Sequence, residues 1–531
     1  MKQESDIRAL IEGQTVLGIE MGSTRIKSVL LNASHEILAS GSFQWENSLS
    51  DSLWTYSLAD AVRGMQESYK DLAANVLTKY GVTLTKIGAI GISGMMHGYL
   101  VLDKLDRQLA PFLTWRNTNT SVAAAQLSEL FQFNIPLRWS VAHLYQAILE
   151  QRPHVSEIAY MTTLAGYIFY RLSGQRVLGI GDASGMFPID AATLDYDGKM
   201  LSSFQELVSV YQYPWRIQEI LPRVMKAGEC AGTLTETGAK LLDPSGNLQP
   251  GIPMVPPEGD AGTGMTATNA VEPCTGNVSA GTSIFSMVVL EKPLSRIYKD
   301  IDIVTTPSGS PVAMVHCNNG TSELDAWISL LTEFADKMGL PLSAGEVYRT
   351  MLQESLHGDP DCSNVLVFNC LSGEPVTGLD QGRPMVVRRP ESTFRLANFM
   401  RSQIYSIFAS LTIGMRILTE EKVRIKRLTG HGGLFKTPEV AQRYLSAAMG
   451  VPITVMETAG EGGPYGMALL AAYYLYRDEG EPLEAYLTNK VFTQAKDSAV
   501  LASKEERQGY REYLSQYQMA LQAEVCAAEC L

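Results

Sequence analysis

The chain has 531 residues, of which 43 are basic and 56 acidic, giving a formal net charge of −13. This excess of acid disfavours a nucleic-acid partner, and a 45% share of hydrophobic residues excludes disorder as the main state. The length fits two to four domains at the usual domain size. Acidic residues at the start, Met1-Lys2-Gln3-Glu4-Ser5-Asp6, stand where a secretory leader would be basic. The most apolar stretch, 466–476, is shorter than the roughly 20 residues a spanning helix needs and reads as a buried helix. No membrane partner is expected. Seven cysteines, an odd number without a CxxC pair, fit reduced thiols and a cytoplasmic location.

Residues 1 to about 14 read as an amphipathic lead-in, followed by a buried strand at 16–19 and its return partner at 26–31. The turn between them, Glu20-Met21-Gly22-Ser23-Thr24-Arg25, exposes backbone N–H groups and hydroxyls that suit phosphate oxygens. It is not a Walker loop, which needs GxxxxGK[ST] ahead of a helix. Residues 87–92 read as a strand ending in Ser93-Gly94-Met95-Met96-His97-Gly98, with a second strand at 99–102. The segment 196–250, which contains Trp215 and several prolines, reads as an insert whose role the pattern does not fix.

Pro256-Pro257-Glu258-Gly259-Asp260-Ala261-Gly262 sets carboxylates among small residues, where backbone approaches a ligand closely. Asp260 reads either as a general base or as the cap of a helix over 263–270. Near 269–275 Pro273 and Gly276 mark a boundary, giving expected lobes at 12–270 and 271–515. A second strand–turn–strand follows in Gly276-Asn277-Val278-Ser279-Ala280-Gly281-Thr282-Ser283, with a return strand at 284–290. Its recurrence about half a chain later reads as a duplication, two similar α/β lobes each presenting a hairpin to a shared cleft. Strand 426–428 runs into Gly430-His431-Gly432-Gly433, and Thr437-Pro438-Glu439 is expected to open a helix with Pro at its first position. A strand at 453–456, the turn Gly460-Glu461-Gly462-Gly463-Pro464 and a helix at 465–476 complete the pattern.

In this order, Gly18-Ile19-Glu20-Met21-Gly22-Ser23-Thr24, Ile92-Ser93-Gly94-Met95-Met96-His97-Gly98, Glu258-Gly259-Asp260, Gly281-Thr282-Ser283 and Leu371-Ser372-Gly373-Glu374 resemble the motifs of the FGGY carbohydrate kinases. The resemblance runs from about Val16 to Tyr476. It implies an α/β fold of two actin-like, ribonuclease-H-like ATPase lobes with a cleft between them, closing on ATP, Mg²⁺ and a sugar or polyol. It places Gly22, Ser23, Thr24 and Lys27 at the β- and γ-phosphates and makes Asp260 the catalytic base. Gly281 and Thr282 match the second phosphate loop, and Gly432, Gly433 and Glu461 match the adenosine side. Met96 and His97 fall on the sugar-contacting Met-His of xylulokinases, while Trp115, Arg116 and Asn117 lie where the family sets a tryptophan and polar partners against the sugar. Taken alone, His97 is also readable as a satisfied structural histidine, and Trp115 as core.

Two departures bear on the reading. Glu20 stands where most members have Asp, so its contact with Mg²⁺, through water, reaches about one methylene further. Ala261 replaces the amide that often follows the base in xylulokinases and glycerol kinases, which changes a sugar hydroxyl contact. Glu20-Met21-Gly22-Ser23-Thr24-Arg25, His431-Gly432-Gly433-Leu434-Phe435-Lys436 and Glu457-Thr458-Ala459-Gly460-Glu461-Gly462-Gly463 are similar to a Gram-positive subgroup labelled ribulokinases. The expected activity is therefore phosphorylation of the terminal primary hydroxyl of a ketopentose, with L-ribulose ahead of D-xylulose and other polyols. A sugar sensor that binds nucleotide without turnover is the non-enzymatic alternative. The resemblance also implies a homodimer.

Overall fold

The computed structural model describes residues 2–456, 462–493 and 499–530. The chain divides into two compact units, neither of them continuous. Unit 1 comprises Met1–Val271, Arg296–Val312 and Glu461–Thr493, and unit 2 comprises Glu272–Ser295, Ala313–Gly460 and Gln494–Leu531. Where the sequence pattern marks one boundary near 270, the chain leaves unit 1 there and returns to it twice.

In unit 1, β1 (Val16–Met21) and β2 (Arg25–Leu31) form an antiparallel hairpin with Met21 opposite Ile26 at its tip. β3 (Ile37–Gln44) continues the meander on β2, and β4 (Ala89–Gly94) lies parallel to β1 on its other side. β5 (Gly232–Thr233) and β6 (Pro253–Met254) extend the sheet, which runs β5-β6-β4-β1-β2-β3. Further along β4, β7 (Glu258–Gly259) pairs in parallel. The register sets Glu20, Ser93 and Glu258 in one row across β1, β4 and β7, with Met21, Gly94 and Gly259 in the next. A parallel sheet covered on both faces needs nearly continuous apolar strands. Val16, Leu17, Ile19 and Met21 are all buried, as are Ile90 and Ile92.

The helix Leu58–Tyr80 covers one face against β2 and β3, starting at the Ser57 cap and ending at Gly81 in the left-handed conformation. On β1 and β4 lies the helix Gly463–Tyr476, buried on nearly every side over its first three turns. Its axis approaches β1 closely because Gly18 has no side chain. A Cβ there would stand 2.2 Å from the Pro464 carbonyl oxygen and 2.5 Å from the Ala468 nitrogen.

Unit 2 repeats the hairpin. β8 (Thr275–Ala280) and β9 (Ile284–Val289) are antiparallel, with Ala280 opposite Ile284. With β10 (Pro311–Cys317), whose residues from Ala313 belong to this unit, β11 (Arg427–His431) and β12 (Ile453–Val455), the sheet runs β10-β9-β8-β11-β12. β8 is parallel to β11, as β1 is to β4. Each unit thus carries an antiparallel hairpin whose first strand has a parallel neighbour. The expected helix start at Pro438 is corrected: the helix is Val440–Met449, and its cap, Glu439, has φ +68°. The chain must turn through that left-handed residue after the proline before helical bonding begins. The helix Lys504–Cys530 carries Cys526 and Cys530 as exposed free thiols. Among the described residues no helix is long and apolar enough to cross a membrane.

The approach at Gly18 gives a stability test. Gly18→Ala is expected to cost about 1–3 kcal/mol by overpacking, read as a lower urea midpoint with an unchanged m-value. A midpoint equal to that of the parent would show that the helix Gly463–Tyr476 can shift without loss.

Candidate active site

At the tip of the unit 1 hairpin, three carbonyl oxygens are taken by donors from the body of the unit. The Trp45 indole N–H donates to the Gly22 carbonyl at 2.7 Å, and the Tyr56 hydroxyl donates to that of Ser23 at 2.6 Å. The backbone N–H of Trp45 donates to the Thr24 carbonyl at 3.2 Å. The two rings pack 4.3 Å apart, which fixes both donors. In a trans peptide the N–H points opposite to the preceding C=O, so anchoring the Gly22 and Ser23 carbonyls turns the N–H groups of Ser23 and Thr24 the other way. The result is an edge of outward-turned backbone N–H groups. Lys27 stands on β2 directly across from Glu20.

Unit 2 achieves the same orientation with backbone donors. The N–H of Thr321 donates to the Gly281 carbonyl and that of Gly320 to the Thr282 carbonyl, both at 2.8 Å. Position 320 must be glycine, since a Cβ would lie 2.1 Å from the Gly281 oxygen. The motif that ends in Glu374 holds this loop. The buried Glu374 carboxylate accepts from the N–H groups of Asn318 and Asn319 and from the Asn319 amide at 3.0–3.3 Å. Asn319 Oδ1 in turn accepts from the N–H groups of Leu371 and Ser372. Gly432, at φ +99°, packs against the Ala280 carbonyl, and Gly433 is open on its Cβ side. Glu461 lies outside the described residues, as do its neighbours from 457.

Asp260 opens the helix Asp260–Ala267, following directly on β7. Gly259 occupies the cap position without a side-chain bond, so the capping role weighed for Asp260 does not apply. Asp260 Oδ1 instead accepts the backbone N–H of Met96 at 3.2 Å, bringing together the Met-His turn and the acid. The residue is exposed to solvent on one side and packed on the other. Desolvation there raises its pKa above the ordinary aspartate value, against the lowering effect of the Met96 N–H. The Glu20 carboxyl is pushed up to about 7, chiefly by burial, then by the charge of Asp260, with Lys27 opposing. A Cβ on Gly463 would lie 2.0 Å from Glu20 Oε1, so the extra methylene of Glu20 is accommodated by a glycine.

Met96 and His97 are buried, and both pack against Gly185. His97 Nδ1 lies 3.1 Å from the Gly185 carbonyl oxygen. The carbonyl can only accept, so Nδ1 carries the proton and Nε2 is left as an acceptor. Burial, with Arg138 adding to it, lowers the His97 pKa to about 3, and the ring is neutral at physiological pH. It lies 6.3 Å from the Trp139 ring in a stacked arrangement.

The remaining predicted sugar contacts lie on the segment 115–117. Asn117 is buried and spends its amide on structure: Oδ1 accepts the Trp54 N–H at 2.9 Å, and Nδ2 donates to the Trp54 and Thr114 carbonyls. Arg116 lies over the rings of Trp54 and Trp115, at 5.1 and 5.4 Å, and Trp115 is 37% exposed. Trp215, from the 196–250 segment, donates its indole N–H to the Val155 carbonyl and lines a cavity of about 570 Å³. None of the residues assigned to phosphate, sugar or base borders that cavity.

Sequence reasoning missed Trp45, Tyr56 and Asp182. The first two act on backbone carbonyls far away in sequence, which no local pattern signals. Asp182 is fully buried, and its carboxyl is raised well above the usual range by burial first, with Glu258 and Asp260 adding to the rise.

The N-terminal domain of the FGGY family of carbohydrate kinases matches residues 15–266, and the C-terminal domain matches 276–475. The xylulose kinase of Escherichia coli K12 is 24% identical over 291 residues, covering 53% of this chain and 55% of that protein. The chain therefore spans about half the length of that relative. Among solved structures, the ligand-bound xylulose kinase of Lactobacillus acidophilus superposes with a TM-score of 0.78 at 17% identity, covering 97% of this chain and 99% of that one. The glycerol kinase of Plasmodium falciparum with ADP gives a TM-score of 0.75 at 14% identity, covering 96% and 98%. These likenesses fix the fold as the two-domain, actin-like α/β architecture. Because the two domain matches together take in most of the sequence, the chain belongs to the FGGY family of carbohydrate kinases.

Proposed function

We propose that the protein transfers the γ-phosphoryl group of ATP to the terminal primary hydroxyl of a ketopentose, with Asp260 as general base. The observation that carries the proposal is the Asp260 carboxylate, bonded to the Met96 N–H just past the end of β7 and near enough to Glu20, on the strand that leads into the hairpin tip, for the two charges to interact. Phosphoryl transfer asks little covalent chemistry of a protein. It needs an acceptor for the hydroxyl proton, donors for the phosphate oxygens and a positioned sugar. Asp260 takes the proton, and its raised pKa makes it a stronger acceptor than an ordinary aspartate. The N–H groups of Ser23 and Thr24, with Gly22 and Lys27, receive phosphate oxygens in unit 1. In unit 2, Gly281 and Thr282 supply the corresponding donors, and Gly432 and Gly433 leave room for the adenosine. His97, with Nε2 as acceptor, and Met96 contact the sugar, and Trp115 and Arg116 offer an exposed aromatic and cationic surface to it.

Mg²⁺ fits the donor set. Among the described residues no cluster of three metal-ligating side chains occurs, and Mg²⁺ commonly uses one or two carboxylates with water and substrate phosphates. Glu20 would hold it through water, and the ion would neutralise charge on the transferring group. The relatives described above include xylulose kinases, so D-xylulose is the first acceptor to test and L-ribulose, supported by the hairpin and Gly432-Gly433 motifs, the second.

Asp260→Asn is expected to keep nucleotide binding and lose about 10²–10⁴ in kcat. ADP release measured over D-xylulose, L-ribulose, D-ribulose, ribitol and glycerol reads both the loss and the acceptor. Near-normal turnover in the variant would remove Asp260 as the base, and nucleotide binding without turnover on any acceptor would favour a sensor.

Base catalysis sets a sign on the pH dependence. Activity is lost as pH falls through the pKa of Asp260, at a midpoint above the ordinary value of about 3.9. Glu20, near 7 without a cation, must also ionise to hold one, so raising Mg²⁺ is expected to move the acid limb to lower pH. A limb independent of Mg²⁺ would exclude Glu20 from the metal.

Tyr56→Phe removes the donor to the Ser23 carbonyl. It is expected to raise the KM for ATP several-fold and leave that for the ketopentose unchanged, at a stability cost of about 0.5–1.5 kcal/mol. An unaltered KM for ATP would show that the tip holds its orientation without Tyr56.

A further inference from the structure

We propose that Glu258 is a positioning residue that sets the base Asp260 and the sugar-side His97 together, through a seat for its carboxylate in the turn Gly179–Gly185; this rests on the functional reading above. Glu258 is 1% exposed, two residues before Asp260. Its Oε1 accepts the N–H of Gly181 at 3.3 Å, and Oε2 that of Asp182 at 3.0 Å. The turn is cut to receive it. A Cβ at Gly179 would stand 2.2 Å from Oε1, and one at Gly181 would stand 2.4 Å from Oε2. No other residue type leaves space for the carboxylate at these two positions.

The same turn reaches the sugar side. The Gly185 carbonyl accepts the His97 Nδ1–H, and a Cβ on Gly185 would lie 2.8 Å from Met96 Cε. From below, Thr305 fixes the turn, donating its hydroxyl to the Ile180 carbonyl and its N–H to Ser184 Oγ, both at 3.0 Å. Asp182 Oδ2 accepts from Thr163 at 2.6 Å. The other oxygen, Oδ1, has no partner among the described residues and lies 3.2 Å from where a Gly259 Cβ would be. Gly259 is thereby held between Asp182 and Met96, whose Cγ would be 2.2 Å from that Cβ.

Glu258 therefore ties β7, which delivers the base, to the turn that holds His97. Base and sugar partner are thereby joined through two further N–H···O bonds, beside the strand pairing of β4 with β7 and the Met96–Asp260 bond. Shifts of about 1 Å in such placements cost on the order of 10²-fold in rate.

The test is a double-mutant cycle on the full chain. Glu258→Gln turns one acceptor into a donor facing an N–H. It is expected to lower kcat about 10–100-fold and raise the ketopentose KM several-fold, with the ATP dissociation constant unchanged. In the Asp260→Asn background, where no base remains to be placed, the same substitution should change residual turnover less than about twofold. Gly181→Ala, which pushes on Oε2 while keeping Glu258, should reproduce the split and serves if Glu258→Gln does not fold. Equal losses in both backgrounds, or kcat within twofold of the parent for both variants, would overturn the positioning role while Asp260 stands as base. Normal turnover in Asp260→Asn alone would overturn the functional reading and this role with it.

Discussion

The orientation of a few peptide planes is the constraint on which the rest of the protein depends. A glycine turn between two strands has no inherent reason to present its N–H groups rather than its carbonyls. In unit 1 the choice is made by an indole, a phenol and a backbone N–H that take the carbonyls of Gly22, Ser23 and Thr24. Unit 2 uses the N–H groups of Gly320 and Thr321 instead. Two chemically different solutions yield the same polarity at each tip, which indicates that the polarity itself is what matters. Buried donors and acceptors must be satisfied. Satisfying the carbonyls from inside is what turns the donors outward.

The second feature is the crowding of acids at the ends of β1, β4 and β7. Glu20 and Glu258 share a row, and Asp260 follows two residues past Glu258. Desolvation raises the pKa of all three, and of Asp182. Such a cluster costs stability in the free protein, because buried carboxylates lose hydration and repel one another, which their few N–H and hydroxyl partners offset only in part. It is also what makes a proton acceptor stronger than water-exposed aspartate, and what a cation or a proton relieves. Glycines bear the steric side of the arrangement: Gly463 beside Glu20, and Gly179 and Gly181 beside Glu258.

The hairpins were legible because apolar runs on both sides of Gly22 and Gly281 leave little alternative to strand, turn and strand. The buried helix at the end of unit 1 was legible from composition alone. Asp260 stood out among small residues, but its bond to the Met96 N–H joins positions far apart in sequence and required the fold. Glu258 shows no role in the sequence, since the glycines that seat it lie almost eighty residues earlier. The family resemblance sets Asn117 against the sugar, and only the fold shows that its amide bonds the Trp54 backbone. Pro438 misled for a local reason: the chain needs one left-handed residue, Glu439, before the helix can start. The interleaving of the units was invisible to composition, because no shift in residue usage accompanies a return of the chain.

That interleaving has a consequence for how the protein is made. β1 leaves the ribosome well ahead of the helix that covers it at Gly18, with the strands β8 to β12 of unit 2 made in between. At about 5–20 residues per second, an apolar strand waits many seconds for the surface that buries it. Unit 1 cannot close during synthesis of its own first segment, and the nascent chain must be kept from pairing with neighbours through that interval. Losing the helix Gly463–Tyr476 would therefore damage β1, a strand encoded long before it.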